Sequence, residues 1–264
     1  MGLGGTVMPT SGQGRILFWE GASMWVLSAG PDLGEEGYRG TFHSHHAVQI
    51  AIALDGWFRL ETADHWVDSA VAAVAPDVRH AIRANGTVAY LYVEPESRAG
   101  RAVIGRVFGS HGLTQVDRDL LGDLPQQLTA EFRDPATTHA RLIGIGRALV
   151  SSLAGDIEAD TPDARVSKVI AWAASNLATP VRLADAAAVA GLSPDRLRHV
   201  FVRHTGLPFR TYVLWLRLLK ATEAFARGDS LTHAAHAAGF ADSAHLSRTF
   251  RRTFGIAAAE LRIK

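Results

Sequence analysis

One helical pattern occurs twice in the C-terminal part of the chain, and this repeat restricts the fold more than any other feature. Residues 183–192 (LADAAAVAGL) and residues 231–240 (LTHAAHAAGF) each have the spacing of a short, Ala-rich helix that ends at a glycine or just before one. A second helix follows in each copy, and its matching positions are Leu197, Phe201 and Gly206 in the first copy and Leu246, Phe250 and Gly255 in the second. The repeat predicts two helix-turn-helix units of the same construction.

The second helix of each copy is called its recognition helix below. In the second copy this helix has two contrasting faces. Leu246, Phe250 and Phe254 form an apolar stripe at four-residue spacing, which predicts packing against the protein. The opposite side carries small, polar and basic side chains, namely Ser243, Ala244, Ser247, Arg248, Arg251 and Arg252. Gly239 stands at the turn before this helix, where a positive φ angle is needed. A helix of this kind can enter the major groove of DNA.

A long helix is predicted between the two copies. Ser193 and Pro194 mark the start of the first recognition helix as its N-cap and first helical residue. Residues 208–226 then have the periodicity of one continuous helix. About 18 residues at ~1.5 Å each span roughly 27 Å. With the radii of the flanking helices added, the recognition helices lie roughly 34 Å apart, one turn of DNA, so one polypeptide can reach two successive major grooves.

The charge of the chain is distributed unevenly. Residues 1–164 hold 12 Arg against 20 acidic residues, a net charge of −8, whereas residues 165–264 hold 15 Lys and Arg against 6 acidic residues, a net charge of +9. A strongly basic half indicates a polyanionic partner, and a solvated basic face is the alternative. The sequence has no cysteine, which excludes disulfides and thiolate metal sites. Without an apolar run of about 18 residues, we expect a cytoplasmic protein that crosses no membrane.

The N-terminal part has the pattern of short strands. Residues 15–93 contain many apolar runs bounded by turn residues, which predicts a small barrel or jelly roll. Asp55-Gly56 and Asn85-Gly86 are the turn signals, and the first predicts a hairpin between residues 48–54 and 57–61. From about residue 98 the periodicity becomes helical, with one apolar stripe formed by Leu142, Ile145, Leu149 and Leu153. Packing of this stripe on the chain's own barrel and packing in a homodimer are both consistent with the sequence.

Residues 165–262 resemble the double helix-turn-helix domain of AraC/XylS-family transcription regulators. The second copy, residues 237–255 (AAGFADSAHLSRTFRRTFG), is close to the signature of the family, and Ala258 is a departure because the family usually has Pro there. The resemblance implies a sequence-specific, DNA-binding transcription regulator and not an enzyme. If the protein activates transcription, the resemblance also implies RNA polymerase as a partner. A nucleic-acid protein without sequence preference is an alternative.

The resemblance also implies which side chains face the DNA. The base-facing positions are Asp195, Arg198 and His199 in the first recognition helix and Ser243, Ala244, Ser247 and Arg248 in the second. The helical phase opposite Leu246 and Phe250 selects the same second set. Side chains expected at phosphate, with plain surface charge as the alternative, are Arg196, Arg203, Arg210, Arg251 and Arg252. We expect the first copy to contribute more of the discrimination between bases.

Residues 40–50 (GTFHSHHAVQI), with Gly56 and residues 76–80 (PDVRH), resemble the two motifs of a cupin barrel. Metal-binding cupins use two His, a carboxylate and a distant His. The corresponding residues here are His43, His45, Gln49 and His80. Because a neutral amide oxygen is a poor ligand beside imidazoles, we expect no metal and no cofactor. The alternative function is a metal-dependent cupin enzyme with an accessory helical domain, with the three histidines as ligands.

We expect the barrel to bind a small-molecule effector or to anchor a homodimer. The candidate pocket residues are Trp25, His45, Trp57 and His80. The whole pattern predicts an α+β chain. Its predicted ranges are a disordered N-terminus at 1–14, a cupin-like sensory barrel at 15–97, a helical segment with a role in dimerisation at 98–154, a linker at 155–163 and the double helix-turn-helix domain at 164–264.

Overall fold

The structure, a computed structural model, describes residues 14–28, 37–156 and 163–261. An antiparallel sheet occupies the N-terminal part and helices follow it, which confirms the predicted α+β class. The predicted disordered N-terminus lies almost wholly outside the described residues, and so does most of the predicted linker.

The chain separates into two compact units. Of the described residues, 14–28, 37–156 and 250–261 fall in the first unit, and 163–249 fall in the second. The end of the second recognition helix therefore belongs with the sheet. The domain ranges given above stay predictions.

Within the described residues, eight strands form one antiparallel sheet in the first unit. They are β1 (Gly14–Trp19), β2 (Ala22–Ser28), β3 (Tyr38–Arg39), β4 (Val48–Glu61), β5 (Trp66–Asp68), β6 (Val71–Val74), β7 (Ala81–Val93) and β8 (Leu113–Gln115). The order along the sheet is β1-β2-β7-β4-β6-β8, with β3 on β7 and β5 on β4. The described pairs leave this path open between β1 and β8, so the sheet is cupin-like but not a closed barrel.

The predicted hairpin turn at Asp55-Gly56 is wrong. β4 continues through it and pairs with β7 from Val48 to Glu61, with a register shift between Ala53 and Asp55. Gly56 lies opposite Gly86, and both have positive φ angles, of 81° and 86°. A Cβ atom on Gly56 would collide with the carbonyl oxygen of Asn85. The two turn-like dipeptides therefore lie opposite each other in the two longest strands, next to the β-bulge between Ala53 and Asp55.

Three helices of the first unit cover the sheet. They are α1 (Arg98–Val107), α2 (Leu124–Arg133) and α3 (His139–Ala154), and a 3-10 turn spans Arg118–Leu121. Leu142, Leu149 and Leu153 of α3 are fully buried in the same core as Met24 and Ile50 of the sheet, while Ile145 is partly buried against it. The apolar stripe of α3 thus packs on the chain's own sheet. Because this packing uses the stripe, a homodimer would need another surface.

The second unit is helical and contains both turns of the repeat. Its helices are α4 (Ala164–Ser175), α5 (Leu183–Ala190), α6 (Pro194–Thr205), α7 (Phe209–Ala226), α8 (Leu231–Ala237) and the first part of α9 (Ser243–Phe254). The rings of Phe209 and Tyr212 stand edge-on to Phe201, with centroids 5.3 and 5.2 Å away. None of the helices in the described ranges combines the length and apolar character that a membrane span requires.

The last turn of α9 and the short 3-10 helix at Ala258–Glu260 pack within the first unit. The ring of Trp25 lies 6.0 Å from Phe250 and 4.7 Å from Phe254, measured between centroids. Thr41 donates two hydrogen bonds to the carbonyl oxygen of Gly255, from its amide at 3.2 Å and from its hydroxyl at 2.9 Å. Phe250 therefore packs in the first unit, although Phe201, its counterpart in the repeat, packs in the second.

Replacement of Phe201 by Ala should destabilise the second unit by about 3–5 kcal/mol, because it leaves a cavity beside two other rings. Val202, the next residue of α6, is 37% exposed, so Val202→Ala should change the free energy of unfolding by roughly 0.5 kcal/mol or less. Urea unfolding followed by circular dichroism measures both. Equal losses for the two variants would contradict the packing described here.

Candidate functional site

Local signals in the sequence fix both ends of α6, the first recognition helix. The Ser193 hydroxyl accepts a hydrogen bond from the amide of Arg196 at 3.3 Å, and Pro194 occupies the first turn. Gly206 ends the helix in the left-handed conformation with a φ angle of 75°. The predicted N-cap is thereby confirmed, and the helix has a defined phase.

This phase separates the two faces of α6. Leu197, Val200 and Phe201 are buried, while the predicted base-facing residues Asp195, Arg198 and His199 are exposed. The Arg198 guanidinium donates to the Asp195 carboxylate at 3.1 Å, and both side chains are open to solvent. An exposed pair of this kind contributes about 0–1 kcal/mol. A competing partner can therefore displace either member.

The second recognition helix, α9, has a comparable division. Asp242 accepts a hydrogen bond from the amide of His245 at 2.6 Å, as an N-cap does. Of the predicted base-facing set, Ala244 and Arg248 are exposed, and Ser243 and Ser247 are half-buried. Arg248 forms no ion pair with any residue that the structure describes, so its guanidinium differs from that of Arg198 in being unpaired.

The arginines predicted at phosphate share an exposed position. They are Arg196, Arg203, Arg210, Arg251 and Arg252. None of the five forms an ion pair with another residue in the described ranges. Exposed, unpaired cations beside a recognition helix are available to contact a polyanion.

A glycine in the left-handed conformation links the two helices of each copy. Gly191 has a φ angle of 65° and Gly239 one of 79°. Their surroundings differ, because a Cβ atom on Gly191 would meet open space, whereas one on Gly239 would collide with the carbonyl oxygen of Leu177. Arg217 of α7 also approaches Gly239 and donates to the carbonyl oxygen of Thr179 at 3.3 Å. The second turn is therefore the more tightly enclosed of the two.

The structure brings His43, His45 and His80 together inside the first unit. The three side chains are 4%, 3% and 0% exposed, and one ring nitrogen from each lies within 4.8 Å of the others. A β-bridge joins His43 to His80 through backbone hydrogen bonds of 2.8 and 2.9 Å. His43 and His80, which are distant in sequence, are thus held side by side.

Burial keeps this histidine cluster neutral. Desolvation, with a further effect of His45, lowers the pKa of His43 to about 4. Desolvation also lowers the pKa of His45. Desolvation and the neighbouring imidazoles together lower the pKa of His80 well below its usual value. At neutral pH each ring therefore carries one proton and one lone pair.

A fourth buried histidine, His46, was not singled out from the sequence. The ring nitrogens of His46 lie 3.4 Å from Asp77 and 3.1 Å from Glu96. Burial opposes the charged form of His46, but hydrogen bonds to both carboxylates outweigh it and raise the pKa to about 9. These partners are 31 and 50 residues away in sequence. No local pattern in the sequence indicates such a network.

The four predicted pocket residues do not surround one space. Trp25 lines a small cavity of about 40 Å³ together with His43 and Gln49. His45 and His80 are not among the residues that line this cavity, but both contact Gln49. Trp57 is 41% exposed and lines a separate open groove beside Arg59 and Asp68. The cavity beside the histidines has room for an ion or a few water molecules but not for an organic effector.

Comparison with known proteins finds a matching family model and relatives of known function. A family model described as a helix-turn-helix domain matches residues 186–264. The HTH-type transcriptional activator RhaS of Escherichia fergusonii is 37% identical over 158 residues, which cover 58% of this chain and 55% of RhaS. RhaS of Enterobacter sp. strain 638 is 38% identical over 101 residues, which cover 38% of this chain and 36% of that protein. The chain thus spans about half or less of the length of these relatives.

The whole fold is similar to that of ToxT from Vibrio cholerae. A crystal structure of an apo ToxT variant matches 92% of this chain and 97% of its own, with a TM-score of 0.59 and 14% identity. A second ToxT structure matches 90% of this chain and 95% of its own, with a TM-score of 0.57. At this identity the likeness shows the fold alone.

The two turn glycines provide a matched pair of variants. Gly191→Ala should cost roughly 1–2 kcal/mol, since it places a side chain in the left-handed conformation without a steric clash. Gly239→Ala should cost more, because the backbone at Leu177 must also move. The free energies of unfolding in urea compare the two variants directly. A Gly239→Ala protein as stable as the Gly191→Ala protein would show that the second turn is not tightly enclosed.

Proposed function

We propose that this chain, which belongs to the AraC/XylS family of helix-turn-helix regulators, is a sequence-specific DNA-binding regulator of transcription. One observation carries the proposal. Each of two helix-turn-helix copies buries the apolar side of its recognition helix and exposes a polar and basic side. The net charge of +9 on residues 165–264 suits a polyanionic partner.

In this function α6 and α9 each enter a major groove of double-stranded DNA. The joining helix α7 has 18 residues, which span roughly 27 Å at ~1.5 Å per residue. Two grooves on one face of the duplex lie one turn apart, roughly 34 Å. The length of α7 supports docking of the two helices in successive grooves.

The base-reading side chains we assign are Asp195, Arg198 and His199 on α6, and Ser243, Ala244, Ser247 and Arg248 on α9. Arginine can donate two hydrogen bonds to guanine O6 and N7. Arg248 is already unpaired, whereas Arg198 must exchange the Asp195 carboxylate for a base. Once released, Asp195 can accept a hydrogen bond from a cytosine amino group.

The curated relatives are transcriptional activators. This supports activation, and with it RNA polymerase as a partner in the cytoplasm. It also supports a regulator over the alternative of a metal-dependent cupin enzyme. We place the response to a small molecule in the first unit, where an organic effector would require the cavity beside Trp25 to widen. A homodimer would use a surface other than the buried stripe of α3.

Arg248→Ala should weaken binding to the cognate site by about 1–3 kcal/mol and relax specificity at the contacted base pair, since a bidentate contact is lost. The cognate site is first identified by mapping the positions that the protein occupies on genomic DNA. Affinities for this site and for random DNA are then compared at one salt concentration. Arg227→Ala, at an exposed position beyond the end of α7, is the control. Equal losses on both DNAs would rule out base reading by Arg248.

Arg251→Ala should weaken binding to the cognate site and to random DNA by similar factors, because a phosphate contact carries no sequence information. It should also reduce the slope of log affinity against log salt concentration by about 1. Fluorescence anisotropy over a salt series measures both effects. A loss restricted to the cognate site would instead assign Arg251 to base reading, and no loss on either DNA would make it a plain surface charge.

A further inference from the structure

The open groove that Trp57 lines contains a row of arginines from three neighbouring strands. Arg39 of β3 lies directly opposite Arg83 of β7, and Arg83 lies directly opposite Arg59 of β4. Such positions bring side chains on one face of a sheet close together, where like charges repel each other. All three arginines line the groove, which has a volume of about 1090 Å³. The sheet thus concentrates positive charge locally, although residues 1–164 have a net charge of −8.

The arginine at the centre of this row has no counter-ion among the described residues. Arg59 donates two hydrogen bonds to the carboxylate of Asp68, at 2.7 and 2.6 Å. Arg39 lies 3.9 Å from the carboxylate of Glu61. Arg83 forms no ion pair or side-chain hydrogen bond within the described ranges, and its Nε is buried without an acceptor. A charged donor in this state favours the binding of an anion.

Two further side chains complete the groove. Arg118 lies in the 3-10 turn after β8, and it also forms no ion pair with a residue that the structure describes. Trp57 and Arg59 are two residues apart in a regular stretch of β4, so their side chains share one face of the sheet. The indole of Trp57 is 41% exposed. The groove therefore combines two guanidinium groups that lack a described partner with an aromatic surface.

The groove and the cavity beside Trp25 lie on opposite faces of the sheet. Side chains alternate along a strand, and the cavity is lined by Ile82 and Ala84, the two neighbours of Arg83 in β7. The groove is therefore a separate site. It is already open, and its volume is comparable with that of sites that hold small organic ligands, roughly 300–1,000 Å³.

The charges and the indole select the chemistry of the ligand. The planar guanidinium group of arginine binds carboxylates and phosphates through paired hydrogen bonds. Arg83 and Arg118 together carry two positive charges that no described carboxylate neutralises. A phosphate monoester carries a charge of about −1.5 to −2 at neutral pH, whereas a carboxylate carries a single negative charge. An aromatic ring joined to the phosphate can stack on an exposed indole.

We infer that this groove binds a small organic phosphate that carries a planar ring, the chemical class to which nucleotides belong. Arg83 and Arg118 hold the phosphate, and Trp57 contacts the ring. The use of the groove as an effector site rests on the proposed regulatory function, but the binding itself does not. For an effector of this class the groove needs no widening, unlike the cavity beside Trp25.

The test is isothermal titration calorimetry of the full-length protein without DNA, with phenyl phosphate as the probe. Phenyl phosphate should bind more tightly than inorganic phosphate, which lacks the ring, and more tightly than benzoate, which lacks the second charge. Arg83→Gln and Arg118→Gln should each weaken its binding by about 10-fold or more. The matched control is Arg79→Gln, at an exposed arginine of the same unit outside the groove, and it should have no effect.

Trp57→Ala separates the contribution of the ring from that of the phosphate. It should weaken the binding of phenyl phosphate and leave that of inorganic phosphate unchanged, since the indole contacts the ring alone. Circular dichroism establishes that each variant is folded. A folded wild-type protein that binds no phenyl phosphate at millimolar concentration would overturn the proposal. An unchanged affinity in the folded Arg83→Gln and Arg118→Gln proteins would do the same, because the ligand would then lie elsewhere.

DNA affinity, measured in parallel, keeps this proposal apart from the proposed function. Arg83→Gln should bind the cognate DNA site as the wild-type protein does. A weaker affinity of this variant for DNA, without phenyl phosphate binding by the wild-type protein, would overturn the proposal and assign the arginine row to the DNA backbone. A protein that binds phenyl phosphate but no DNA would contradict the proposed function alone.

Discussion

Burial of one apolar stripe on each recognition helix is the interaction on which the candidate DNA-binding surface depends. Phe201 of α6 packs against Phe209 and Tyr212 in the second unit. Phe250 and Phe254, at the end of α9, pack against Trp25 in the first unit. Because a helix has a single phase, the buried side decides which residues face outward. The two copies reach the same result with different partners, since a repeat in sequence preserves the stripe but not the surface that covers it.

The sequence predicted the helices of the repeat better than the strands. The bounds of α5 and α6 agree with the prediction, because Ser193, Pro194 and the closing glycines are local signals that act within one turn of helix. The hairpin at Asp55-Gly56 failed for the opposite reason. A turn signal is local, but β4 and β7 gain more by pairing over their full length, and the two glycines then face each other beside a bulge. α2 was missed as well.

The candidate sites show the same limit. The family resemblance assigned the base-facing residues of both recognition helices, and helical spacing selected the same set on the second. The motif resemblance brought His43, His45 and His80 into one group. The direction of the ring nitrogens could not be predicted, since it depends on carbonyl oxygens of loops whose course the sequence does not define. Trp57 was assigned to the pocket from its phase relative to the cupin-like motif, but it lines a separate groove. The partners of His46 meet it solely through tertiary structure.

The ion pair between Asp195 and Arg198 has a consequence for the entropy of recognition. In the proposed base-reading role, Arg198 is already restricted in its rotamers by its ion pair, whereas the Arg248 side chain would lose its mobility on binding, at a cost of roughly 0.5–1.5 kcal/mol. Arg198 instead gives up an enthalpic contact with a carboxylate. Recognition by the two helices should therefore respond differently to temperature, with contacts of α9 weakening more steeply on warming. The two similar copies would thus bind their two DNA grooves with different balances of enthalpy and entropy.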